Sequence, residues 1–97
     1  MTPEKKVKNA VIEIIKAAGA YHITPATGGY GISGTPDIVG CYNGRFFAIE
    51  CKAGGNTPTA LQEVAIARIH KAKGAAIVVN EYNLDAVLPM LHRTMED

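Results

Sequence analysis

The chain has little that would tie it to a membrane, a disulfide framework or a structural zinc. No apolar run approaches the length needed to span a bilayer, and the opening Met1-Thr2-Pro3-Glu4-Lys5-Lys6 lacks the apolar segment of a secretory leader. A cytoplasmic, intracellular protein without a membrane partner is the expectation. There are only two cysteines, Cys41 and Cys51, with no Cys-x-x-Cys spacing, so both thiols are expected to be free and buried. The three histidines, His22, His70 and His92, are isolated and form no ligand set. An excess of either charge is missing too: the formal net charge is +1, so composition argues neither for nor against a polyanionic partner. Repeats, linkers and low-complexity segments are absent, and 97 residues leave room for one domain, 1–97, with a single core. A chain this short buries a modest share of its surface, which makes a partner subunit a natural supplement.

What is present centres on residues 34–52, GTPDIVGCYNGRFFAIECK. Two apolar runs, 38–42 and 45–49, flank Asn43-Gly44. Asn-Gly between such runs is the strongest short-range hairpin signal, because a type I′ turn needs φ > 0 at both central positions. If these two residues are the loop, Tyr42 faces Arg45, Cys41 faces Phe46, Cys51 faces Pro36, and Asp37 lies directly opposite Glu50. Opposed residues share a face, and Lys52 joins them because side chains repeat every two residues. Two carboxylates held opposite one another repel, so sheet stability does not recommend the pair. A divalent cation between them turns that repulsion into a binding site, and hard cations such as Mg²⁺ favour one or two carboxylates plus water and phosphate. The plainer alternative is a solvent-facing ion pair of Glu50 with Lys52 on an edge strand. Phe46 and Ala48 share their face, however, so the charges are expected to be partly covered.

Around the hairpin the pattern is helical. Thr2-Pro3-Glu4 supplies an N-cap, a proline at the first helical position and an acid in the first turn. Val7, Ala10, Val11, Ile14, Ile15 and Ala18 then form one apolar stripe, and Gly19 stops it. Residues 20–24 read as a short strand, and 26–34 as a glycine-rich loop that stays mobile until something binds. This loop lacks the Lys-Ser/Thr ending of a phosphate-cradling P-loop. After a turn at 53–56, Thr57-Pro58 is expected to start a second helix with the buried stripe Leu61, Val64, Ala65, Ile69 and Ala72, ended by Gly74. The run 75–80, AAIVVN, suits a strand covered on both faces. A final helix over 83–95 carries Pro89 inside it, where a kink or early break is expected. The order is α-β-β-β-α-β-α, an α/β architecture with a mixed sheet flanked by helices.

Pro36-Asp37 followed across a hairpin by Glu50-Cys51-Lys52 resembles the PD-(D/E)XK nuclease superfamily and its restriction-endonuclease-like core, with twelve residues between the two acids. Within it the chain most resembles the small VRR-NUC nuclease domain. The resemblance rests on Glu4 at the start of the first helix, Gly34 to Asp37 as Gly-x-Pro-Asp, the aromatic strand entering Glu-x-Lys, and Gln62 in the next helix. It covers nearly the whole chain, with one departure: where the Val-Arg-Arg element should fall, this chain has Val79-Asn80-Glu81-Tyr82.

The resemblance implies phosphodiester hydrolysis with Mg²⁺ or Mn²⁺ and no organic cofactor. Asp37, Glu50 and the Cys51 carbonyl would hold the metal, and Glu4 would ligate it directly or through water. Lys52 would orient or help deprotonate the attacking water, or stabilise charge on the phosphoryl oxygens, and Gln62 would position that water or Lys52. It further implies a homodimeric endonuclease acting on branched DNA such as four-way junctions. Lys5 and Lys8, with Lys6, Lys16, Lys71 and Lys73, are ordinarily just solvated faces; if the first helix flanks the site, some of them meet DNA phosphate. The alternative from another class is a non-catalytic nucleic-acid-binding domain that retains the nuclease fold. The complete Asp/Glu/Lys set argues against that decay.

Overall fold

A computed structural model describes residues 1–26 and 34–93. The glycine-rich loop expected at 26–34 falls almost wholly outside them, as does the end of the final helix beyond residue 93. The element order is α1 (Pro3–Ala17), β1 (Tyr21–Ile23), β2 (Ile38–Tyr42), β3 (Arg45–Cys51), α2 (Ala60–Lys71), β4 (Ala75–Val79), a 3₁₀ turn (Leu84–Ala86) and α3 (Val87–Arg93). The four strands form one sheet in the order β1-β2-β3-β4, antiparallel up to β3 and parallel between β3 and β4. That parallel pairing requires α2 as its crossover.

The hairpin forms in the expected register, with Tyr42 paired to Arg45 and Ile38 to Ile49. Asn43 and Gly44 sit at φ 50° and 81°, as the tight turn demands. β3 is therefore an interior strand. One of its faces puts Phe47, Ile49 and Cys51 into a core with Ile38, Val79, Val7, Val11 and Ile15 of α1 and Val87, Met90 and Leu91 of α3. The other face carries Phe46, Ala48 and Glu50 toward α2.

α1 is capped as expected: the Thr2 hydroxyl accepts from the Lys5 N–H at 3.1 Å. At its end the Gly19 and Ala20 N–H groups return to the carbonyls of Lys16 and Ile15, a Schellman closure.

α2 departs from expectation at both ends and along its face. It starts two residues after the expected Thr57-Pro58, because Thr59 and Gln62 form a reciprocal capping box. Gln62 Oε1 accepts from the Thr59 N–H at 2.8 Å, and Thr59 Oγ1 accepts from the Gln62 N–H at 3.2 Å. At the other end Lys73, not Gly74, takes the left-handed position, with φ 73°. The expected buried stripe is also corrected: Leu61 and Val64 are 56% and 54% exposed, and Ala72 is exposed as well. Ala65, Ile66 and Ile69 are the half-buried apolar residues of this helix, beside the half-buried Gln62. Among the described residues α2 lies chiefly against β4 and β3, so a helix over that half of the sheet keeps part of its apolar surface in solvent.

Pro89 does not end α3, which runs from Val87 to Arg93. It falls in the helix's first turn, where the 3₁₀ turn hands over and an absent N–H leaves no intrahelical bond unmade. Cys51 is buried and Cys41 exposed, both free, so the expected burial holds for the first thiol and fails for the second. Cys41 stands between Tyr21 and Phe46 on the half of the sheet that α2 leaves uncovered. Among the described residues no helix is long and apolar enough to cross a membrane.

Candidate active site

Asp37 lies one residue before β2 and Glu50 one before the end of β3, so the hairpin register extended by one pair sets them opposite each other. The Asp37 carboxylate also completes the sheet. Its Oδ2 accepts from the Cys51 backbone N–H at 2.9 Å, a hydrogen bond that the neighbouring backbone would otherwise supply. The approach to Asp37 is constrained at Gly34, where φ is +85° and a Cβ would stand 2.5 Å from the Leu61 carbonyl oxygen. Only glycine lets the chain enter the hairpin so close to the first turn of α2.

Glu50 is 3% exposed. Its Oε2 accepts from Gln62 Nε2 at 2.8 Å and lies 3.4 Å from the Lys52 ammonium, itself 13% exposed. Oε1 is buried and has no hydrogen-bond partner among the described residues. Burial, and next the negative charge of Asp37, push the Glu50 carboxyl up from 4.5 to about 7; Lys52 and the Asp37 backbone pull more weakly the other way. The pairing is therefore neither a solvated surface bridge nor a satisfied buried one. It is an acid pair under strain with one acceptor to spare.

Gln62 joins the site to the fold: the amide whose oxygen closes the α2 capping box donates its N–H to Glu50. Gln62, expected to position water or Lys52, holds the Glu50 carboxylate. The pattern Thr-x-x-Gln at 59–62 is the local sequence signal that marks both the true helix start and this role.

Glu4 is exposed in the first turn of α1, and its charge together with that of Lys8 is felt at the Cys51 thiol. That thiol is pushed up to about 12, first by burial and then by Asp37. Among the described residues no three His, Cys, Asp or Glu side chains gather as a metal cluster, so Glu4 is not brought together with the two acids. Lys5 is exposed and Lys8 half-buried on α1. His70 meets the Ala76 carbonyl at 2.9 Å and His92 lies against Tyr42, so neither belongs to the site.

A group that sequence reasoning did not find lies just beyond Lys52. The Gly54 N–H donates to Glu81 Oε1 at 2.7 Å, and Asn80 Nδ2 donates to the Gly54 carbonyl at 3.4 Å. These bonds join segments 26 and 27 residues apart, and no local pattern announces them.

The mixed four-stranded sheet, with α1 and α3 on one face and α2 on the other, is a fold that this chain shares with a VRR_NUC domain. A solved structure described as a VRR_NUC domain superposes with a TM-score of 0.75 over 92% of this chain and 97% of that one, at 21% identity. No protein-family model matches the sequence. The chain is 33% identical over 87 residues to a protein named "Putative nuclease p44" from Acyrthosiphon pisum secondary endosymbiont phage 1, covering 88% of this chain and 89% of that protein. The chain belongs to the family of that phage protein.

Proposed function

We propose that this protein is a Mg²⁺- or Mn²⁺-dependent DNA endonuclease of the PD-(D/E)XK superfamily, with a restriction-endonuclease-like core. The observation that carries the reading is the buried Glu50 carboxylate, held opposite Asp37 beside Lys52 with Oε1 unpartnered among the described residues. An orphaned carboxylate oxygen next to a second carboxylate is an all-oxygen donor set suited to a hard divalent cation. Asp37, Glu50 and the Cys51 backbone carbonyl would hold the ion, with Glu4 reaching it through water. When bound, such an ion acidifies water and neutralises charge on the phosphate. Lys52, ion-paired with Glu50 at 3.4 Å, presents an ammonium to the negative charge that builds on the phosphoryl oxygens. Gln62 is a positioning residue that fixes Glu50 through its amide. Lys5 and Lys8 of α1 are assigned contacts to DNA phosphate.

Branched DNA is the proposed substrate class, cut by a homodimer whose two sites act on two strands. The name of the phage relative supports nuclease activity, and the exposed apolar side chains Tyr21, Ile23, Phe46, Leu61 and Val64 supply a surface for a second copy. Light scattering at micromolar concentration is expected to give a dimer that Leu61→Glu with Val64→Glu converts to monomer; a wild-type monomer removes this part of the proposal. The main test is cleavage of single-stranded, duplex, flap and four-way-junction DNA with Mg²⁺ or Mn²⁺. Asp37→Asn and Lys52→Ala should each lower cleavage at least a hundredfold while the fold survives. Full activity in either variant sinks the assignment, and binding without cleavage by the wild type assigns a non-catalytic nucleic-acid-binding domain instead.

A further inference from the structure

We infer that Glu81 and Asn80 form a brace that positions Lys52, an inference that rests on the nuclease reading only for its kinetic consequence. Lys52 is the last residue that the sheet holds, through its N–H to the Val79 carbonyl at 2.9 Å. The chain then turns through Ala53-Gly54-Gly55, with Gly54 at φ +58° and the Asn56 N–H returning to the Ala53 carbonyl at 3.2 Å. Two consecutive glycines are the most permissive backbone the chain can place there. Left alone, this turn would let the residue before it wander. Instead both backbone groups of Gly54 are tied to the segment after β4: its N–H donates to Glu81 Oε1 at 2.7 Å, and its carbonyl accepts from Asn80 Nδ2 at 3.4 Å.

The segment that holds Gly54 is itself fixed. Asn83 Oδ1 accepts from the Asn80 N–H at 2.6 Å, and Asn83 Nδ2 donates to the Val78 carbonyl at 3.1 Å. Asn80 Oδ1 accepts from the Tyr82 N–H at 2.8 Å. Every polar atom of the Asn80 side chain is thus engaged, one on its own loop and one on Gly54. The bond to Glu81 is charge-assisted and short, which makes it the stronger arm. Glu81 is exposed and Lys52 half-buried, so the brace acts from the surface on the backbone that carries the ammonium toward Glu50.

The test separates the brace from the nuclease reading by a readout on the metal-free protein. In Glu81→Ala the Gly54 amide is expected to exchange at least fivefold faster by NMR, and the Lys52 side-chain methylenes to lose order. Glu81→Gln, which keeps an acceptor oxygen, restores both. Asn83→Ala, which frees Asn80, should give the same effect in smaller measure. In the cleavage assay Glu81→Ala lowers kcat about tenfold with KM changed less than twofold, and in a Lys52→Ala background it changes the residual rate less than twofold. Unchanged Gly54 exchange and Lys52 order in Glu81→Ala overturn the brace, as does a full tenfold loss in the Lys52→Ala background. Failure of Glu81→Gln to rescue would show that Glu81 acts through its charge and not through Gly54, and overturns it equally. If the wild type cuts no nucleic acid, the nuclease reading falls and the exchange measurement still decides the brace.

Discussion

Glu50→Gln should make the metal-free protein more stable above neutrality and leave it nearly unchanged in acid. The Glu50 carboxyl titrates near 4.5 in the unfolded chain and is pushed up to about 7 in the fold, by burial and by Asp37. Between these values the folded state binds more protons than the unfolded one, so stability falls as pH rises from about 4.5 to about 7 and is level in this respect above. The gap corresponds to about 3 kcal/mol at full strength. Water admitted around an ionised buried group lowers this, and about 2 kcal/mol is the expected penalty at pH 8. Glutamine keeps the shape and an oxygen for Gln62 Nε2 to donate to, but cannot ionise.

Urea denaturation in EDTA at pH 4.5, 6, 7 and 8 measures this directly, since taking the difference between the two proteins cancels the other titrating groups. The variant should be about 2 kcal/mol more stable than the wild type at pH 8, with the advantage fading toward pH 4.5. Millimolar Mn²⁺ should then stabilise the wild type and not the variant, by about 2.7 kcal/mol at a hundredfold excess over the dissociation constant. A difference independent of pH, or a wild type that gains on the variant as pH rises, refutes the claim that Glu50 is a strained acid. Such an outcome would make the Glu50–Lys52 pair an ordinary satisfied bridge.

Lys73→Gly should raise stability by about 0.5–1 kcal/mol in urea denaturation, because Lys73 holds a left-handed conformation at the end of α2 that costs a residue bearing a Cβ. Gln62→Ala should lower stability by about 1–2 kcal/mol, losing half of a capping box and the hydrogen bond to Glu50 together. Thr59→Ala loses the other half of the cap and leaves the Glu50 bond, so it should lower stability by about 1 kcal/mol without a change in the affinity for Mn²⁺ seen by calorimetry.

Local chemistry made most of the fold legible from the residues alone. Asn43-Gly44 fixes a hairpin register that no distant contact has to select, and Thr2-Pro3 with Gly19 brackets α1 by effects confined to one turn each. α2 is the helix with competing local signals: Thr57-Pro58 and Thr59-x-x-Gln62 both offer a start, and the reciprocal pair satisfies two backbone donors where the proline satisfies none. Which apolar residues of α2 meet the sheet was not legible, because it depends on how far the helix overlaps β3 and β4 and not on its periodicity. The Gly54–Glu81 brace was hidden for a different reason: it joins two loops whose proximity exists only after β3 and β4 have paired.

The site and the sheet share one bond, and this decides which substitution at Asp37 is informative. Asp37 Oδ2 takes the Cys51 N–H at 2.9 Å, so the acid proposed to bind metal also closes the hairpin's open end. Asp37→Ala leaves that part-buried N–H without a partner, at a cost of about 1–3 kcal/mol, and frees the two strand ends to separate. Lost cleavage in that variant would say nothing about chemistry. Asp37→Asn keeps an oxygen for the N–H and removes the charge that repels Glu50. It should therefore hold the fold, lower the Glu50 carboxyl toward its ordinary range at the acid pair, and lose cleavage. A variant that is at least as stable as the wild type yet inactive separates the two duties of Asp37. Equal loss of stability from Asn and Ala would mean that the carboxylate charge itself, and not the hydrogen bond, is what holds the end of the hairpin.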